Sequence, residues 1–214
     1  MPKLGLQAGT INNSYLKVVS NPLITWNFQK GTTTNSSGSA TTSFVPTSNA
    51  SIITGTIMTA NNSSLGNSTD PNFTWNRTYS PDYATFSEVN VAGRYISFQT
   101  TVATGKTVVV TQFTGLFAEK NSSGPLQLAL YLSPDNSNFT QIGSNVTPTT
   151  SVRVETGPIF SSNFSKSPLV LTAGTWYWRI YAWNNANPAS TSARLGFHNN
   201  NLNDDDFSII GYSI

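Results

Sequence analysis

The chain of 214 residues contains no cysteine, which excludes a disulfide framework, a thiolate nucleophile and a cysteine-ligated metal. Charge is almost as scarce. Asp, Glu, Lys and Arg together make up 9% of the residues, against roughly 25% in an average soluble protein. Solubility must therefore rest on the uncharged Asn, Ser and Thr that crowd every segment, a composition suited to a surface outside the cytoplasm or on a particle. The formal net charge of +2 comes without a Lys/Arg cluster, so no electrostatic footprint for nucleic acid is present. No apolar run has the length of a membrane span or of a signal-peptide core. Neither membrane insertion nor Sec export is expected.

Catalytic chemistry is equally short of material. The only histidine is His198, in the loop-like GFHNNN. No Gly-x-Ser-x-Gly, HExxH or P-loop spacing occurs. A glycosidase needs two carboxylates flanking a cleft. The available acids are Asp70, Asp82, Glu88, Glu119, Asp135, Glu155 and the run Asp204 to Asp206. Most fall in loops or at strand ends and they form no motif, so an enzyme is not expected.

What the chain does have is aromatic and β-branched residues in short runs. The densest is Leu169 to Asn184, LVLTAGTWYWRIYAWN. It reads as an Ala-Gly turn followed by a strand from Thr175 to Trp183. Alternation puts Trp176, Trp178, Ile180 and Ala182 on one face and Tyr177, Arg179, Tyr181 and Trp183 on the other. Trp176 and Trp178 are read as core. Further strands are expected at 15–19, 23–28, 43–45, 51–59, 95–102, 106–117, 125–132, 139–142, 151–154, 193–197 and 207–214, with bulges at Gly55 and Gly115. Ser20-Asn21-Pro22 and Ser133 to Asn136 read as turns. No segment keeps a helical period over ten or more residues. The fold class is therefore all-β: an antiparallel β-sandwich, jelly-roll-like, with almost no helix. Residues 1–14 read as an N-terminal arm or anchor and residues 15–214 as one β-sandwich domain.

The order of LITWNF, GRYISFQTTV, GPLQLALYLSPD, TWYWRIYAWN and DDDFSIIGYSI resembles a group of secreted bacterial β-sandwich modules, over about residues 20–214. The resemblance implies a lectin-like jelly roll, an adhesive or wall-associated role and no catalytic residues. The chain departs from those modules at Trp26-Asn27-Phe28, where they often have Trp-Asp-Phe, and at Asp135-Asn136, where they often have Asp-Gly. Its opening, MPKLGLQAG, is similar instead to the short unprocessed starts of phage virion proteins. With no export signal or anchor expected, this favours a virion surface over secretion.

Two sites follow. The strip Tyr177, Arg179, Tyr181 and Trp183 offers ring faces with polar tips, suited to the apolar faces of sugars; buried between sheets, the same residues would be core with Arg179 paired or stacked. Tyr79, Tyr83 and Phe86 form a second candidate patch. The turn Asn199 to Asp206 collects the oxygen donors that calcium takes, with Asp204, Asp205 and Asp206 as ligands. The alternative is a solvated turn shaped by Asn and Asp. No other cofactor is expected. Asn-x-Ser/Thr triplets, for example at Asn72 and Asn163, matter only if the protein is secreted by a glycosylating cell. The arm could add a strand to a neighbour's sheet edge, or be a tail. The function expected is a non-enzymatic structural or attachment protein on a virus particle: a bacteriophage capsid-decoration, head-fibre or tail component. Its partners would be other virion proteins, copies of itself, and host surface glycans. A secreted carbohydrate-binding or adhesive module, or a filament subunit joined by donated strands, is the alternative.

Overall fold

The computed structural model describes residues 21–26, 46–61, 83–119, 126–147, 155–159, 168–184, 195–197 and 207–214. The expected arm and the strands expected at 15–19, 43–45 and 151–154 lie outside these residues. In chain order the elements are β1 (Asn21–Trp26), β2 (Thr47–Ser48), β3 (Ile53–Gly55), β4 (Thr59–Asn61), α1 (Phe86–Val91), β5 (Tyr95–Glu119), β6 (Leu126–Ser133), β7 (Thr140–Gln141), β8 (Glu155–Ile159), β9 (Leu169–Asn184), β10 (Leu195–Phe197) and β11 (Phe207–Ser213). The fold is all-β and antiparallel, with one short helix among the described residues. Hydrogen bonds join the strands in the order β2-β1-β11-β5-β9-β6-β7, and β3, β4, β8 and β10 pair along β5.

β5 organises the rest. Its 25 residues are rich in the β-branched and aromatic types that fit a pleated surface. Its first part, Tyr95 to Val102, pairs with β3 and β4 on one edge and with β9 on the other. Its second part pairs with β11, β8 and β10. Between the parts the register with β9 slips: Val102 faces Gly174 but Thr107 faces Thr172, so residues 103–106 stand against Ala173 alone. The chain meets this irregularity with two glycines at positive φ, Gly105 at 74° and Gly174 at 132°, backbone conformations that favour glycine. Ala173-Gly174 is therefore not a turn before the aromatic strand. β9 runs straight through it.

The core lies where the parts of β5 meet. Trp26 of β1 is edge-on to Phe98 of β5 at 5.0 Å and tilted on Phe207 of β11 at 5.6 Å. Phe98 stacks on Trp178 of β9 at 5.7 Å, and Phe113 closes the group against Trp178 at 5.3 Å. Such pairs add about 0.5–1.5 kcal/mol each beyond their burial. Both indole N–H groups are satisfied, Trp26 Nε1 donating to the Thr56 carbonyl at 2.9 Å and Trp178 Nε1 to Thr100 Oγ1 at 3.0 Å. Leu128, Leu130, Leu132, Ile96 and Ile180 extend the same layer.

Several local expectations change. Neither Gly55 nor Gly115 marks a bulge, since both pair in register. Gly55 is small for another reason: a Cβ there would meet Ile24, Pro46 and Trp26 at 3.0–3.1 Å. Asn21 and Pro22 belong to β1 rather than to a turn. Trp176 is only half-buried. β6 ends at Ser133, opposite Tyr177, so Trp176 lies past the leucine layer and its Nε1 donates to the Thr172 carbonyl.

Candidate functional site

The strip on the other face of β9 divides in two. Tyr181 and Trp183 are buried, at 1% and 4% exposure, and α1 is the cause. Phe86 stacks flat on Tyr131 at 4.9 Å and 6°. It meets Tyr181 and Trp183 edge-on at 5.2 and 5.8 Å. The Tyr181 hydroxyl donates to Asn90 Oδ1 at 3.0 Å, tying strand to helix. Burial pushes the phenols of Tyr131 and Tyr181 above their ordinary value. Tyr181 and Trp183 thus have the buried surroundings of the core alternative, covered by α1 rather than facing solvent. Phe86, read as part of a separate patch with Tyr79 and Tyr83, belongs to this same ring cluster. Tyr83 carries Arg94 over its ring at 5.3 Å, and Tyr79 lies outside the described residues.

The helix that does this is six residues long, too short to show a period. Its signal was the capping box Thr85-Phe86-Ser87-Glu88. The Thr85 hydroxyl accepts from the Glu88 N–H, while Glu88 Oε2 accepts from the Ala84 and Thr85 N–H groups at 2.9 Å. This reciprocal pattern starts a helix even where no periodicity follows. Glu88 thus serves as the cap of α1.

Tyr177 and Arg179 remain half-buried and border a groove of about 350 Å³. Register explains its composition. Arg179 faces Ser97 on β5 and Tyr131 on β6, Tyr177 faces Gln99 and Ser133, and Ser97 in turn faces Thr59 of β4. Side chains on these positions share one face of the sheet. One wall comes from Thr56, Ile57 and Thr59 and the other from Asn136 and Phe139.

The second wall is fixed by the turn between β6 and β7. Asp135 Oδ1 accepts from the N–H groups of Ser137 and Asn138 at 2.9 Å and from the Ser133 hydroxyl at 2.7 Å. Its Oδ2 accepts from Asn138 Nδ2 at 2.8 Å. These bonds, the Asn138 backbone first, hold the Asp135 carboxyl far below the usual carboxylate range. Asn136 sits at φ 60°, a left-handed conformation that Asn tolerates. The turn expected at Ser133 to Asn136 is present, and it delivers Phe139 onto Arg179. The guanidinium lies 3.7 Å from the Phe139 ring centroid and 4.2 Å from that of Tyr95. Among the described residues its one side-chain hydrogen bond, Nη1 to the Tyr181 hydroxyl, is 3.5 Å long. Among the described residues no carboxylate pairs with it and none lines the groove.

The groove thus combines ring faces, amides, hydroxyls and one cation. Among its described lining residues no acid–base pair and no nucleophile with its base is formed. Among the described residues no group of three His, Asp or Glu side chains gathers at a metal-binding spacing. The proposed calcium ligands Asp204, Asp205 and Asp206, and His198, lie outside those residues. Among the described residues no helix is long and apolar enough to cross a membrane. Comparison with protein-family models, with curated proteins and with solved structures found no match to the chain.

Proposed function

We propose that the protein is a non-enzymatic attachment protein that touches glycans through the Tyr177–Arg179 groove while displayed on a virus particle, as a bacteriophage capsid-decoration, head-fibre or tail component. The observation that carries the glycan part is the groove itself. Its aromatic faces suit the C–H faces of pyranoses, and its Ser, Thr, Asn and Gln side chains suit their hydroxyls. The particle part is supported by the composition, a charge-poor surface built on Asn, Ser and Thr. For the domain we propose a jelly-roll-like sandwich, supported by the ring cluster that joins β1 and β11 to β9 and the first part of β5.

The groove would serve a secreted carbohydrate-binding module equally well, as the resemblance to such modules implies. Locating the chain separates the two. Mass spectrometry of gradient-purified particles, with gold-labelled antibody on intact ones, is expected to find it on the particle surface. Recovery only as free protein in the medium would reject the virion reading and leave the secreted module.

A further inference from the structure

We infer that the groove selects glycans bearing a carboxylate, such as uronic or sialic acid residues, and that Arg179 is the residue that recognises the acid. The inference rests on the reading of the groove as a glycan site.

Arg179 is held between two rings. Tyr95 and Phe139 lie against the guanidinium at 4.2 and 3.7 Å. Contacts of that kind use the faces of the planar group and leave its N–H edge for partners in the plane. Among the described residues that edge has only the 3.5 Å bond to the Tyr181 hydroxyl, at the long limit of a hydrogen bond. Two acids of the described residues are committed elsewhere. Both oxygens of Asp135, on the turn that carries Phe139, accept bonds inside their own turn, and Glu88 closes the helix cap. A cation fixed in orientation, stacked, and without a counter-charge among the described residues is arranged to receive one.

The ligand decides the balance. A neutral sugar laid over this groove would strip water from the arginine and give no charge in return, which is costly. A carboxylate on the sugar meets the planar N–H fork with two parallel charge-assisted bonds. Around it Asn136, Gln99, Ser97 and Thr59 supply neutral donors and acceptors, and no acid is among the described residues lining the groove. Tyr177 offers the ring on which the sugar body rests.

The test is a panel of uronate- and sialate-containing oligosaccharides, each paired with its carboxyl-methyl ester, together with neutral and sulfated sugars, titrated against the full chain. Binding of an acid is expected to fall about ten- to a hundred-fold on esterification, the range of a charge-assisted contact. It should also weaken as salt rises. Arg179→Gln should bind acid and ester alike. Arg179→Lys, which keeps charge but not the planar fork, should fall between, with thermal unfolding confirming that both variants are folded. Equal binding of acids and esters by the wild-type chain overturns the inference and leaves the glycan reading standing. Sulfated sugars bound in preference to carboxylates overturn the carboxylate assignment. Binding to no member of the panel overturns the glycan reading and the inference with it.

Discussion

Gly211 is the position where the smallest change should do the most damage. It lies in β11, paired with Val110 of β5 on one side and Asn21 of β1 on the other, at the point where the β5–β11 register slips. A Cβ built there would sit 2.1 Å from the Val109 carbonyl oxygen, 3.0 Å from the carbon of that carbonyl and 2.9 Å from Leu23 Cδ1. The leucine can rotate away. The carbonyl belongs to the backbone of a central strand and cannot. Carbon-to-oxygen contacts normally begin near ~3.3 Å, so Gly211→Ala must move one strand by about an ångström. A shift of that size breaks about two ladder bonds and leaves buried partners unpaired, for a cost of about 3–5 kcal/mol. That is a large part of the ~5–15 kcal/mol holding a typical domain together. Urea unfolding followed by tryptophan emission should show the midpoint falling by about 1–2 M with little change in slope. Gly105→Ala is the control: no atom lies within 4 Å of its Cβ, and its only penalty is the positive φ, about 1–2 kcal/mol. A Gly211→Ala chain no less stable than Gly105→Ala would refute the steric argument.

Other outcomes follow from the same structure. Phe86→Ala removes the ring that covers Tyr181 and Trp183; a loss of about 2–3 kcal/mol is expected, with acrylamide quenching showing a newly accessible tryptophan. Thr85→Ala should cost about 1 kcal/mol through the lost cap and raise hydrogen exchange in residues 86–91 without changing exchange in β5. The Asp135 pKa is depressed on folding, so its contribution is present above the unfolded value near ~3.9 and is lost as pH falls below it. Stability measured by urea unfolding should therefore begin to fall below about pH 4 while the NMR signals of residues 133–139 in the folded chain hold their positions, and Asp135→Asn should remove that dependence. Persistence of the acid transition in the variant would assign it to another group.

Strand identity was largely legible, because alternation and β-branched content report directly on a half-buried sheet surface. Ile96, Phe98 and Val102, or Leu128, Leu130 and Leu132, declare their buried face without further information. The strip on β9 was legible only as a pattern. Sequence alternation shows that Tyr177, Arg179, Tyr181 and Trp183 share a face, but not what covers it. The covering element, α1, is too short for periodicity, and it packs through Phe86, which is more than ninety residues away from Tyr181 in the chain. The capping box was the one local trace of it. The pairing of Arg179 with Tyr95 and Phe139 depends on register and on a turn, and neither is encoded near residue 179. Gly174 shows the reverse error. Ala-Gly suggested a turn, while the glycine instead meets an irregularity whose cause, the extra residues 103–106, lies on another strand.

The central claim is that Tyr177 and Arg179 form the working surface of an attachment protein. The measurement that tests it most directly is a fluorine-NMR titration of the protein carrying a single fluorotyrosine at position 177, using oligosaccharides prepared from the surface of susceptible host cells. We expect a saturable shift of that one resonance, abolished in Phe139→Ala. Saturable glycan binding that leaves the Tyr177 resonance unmoved would place the site elsewhere and contradict the account.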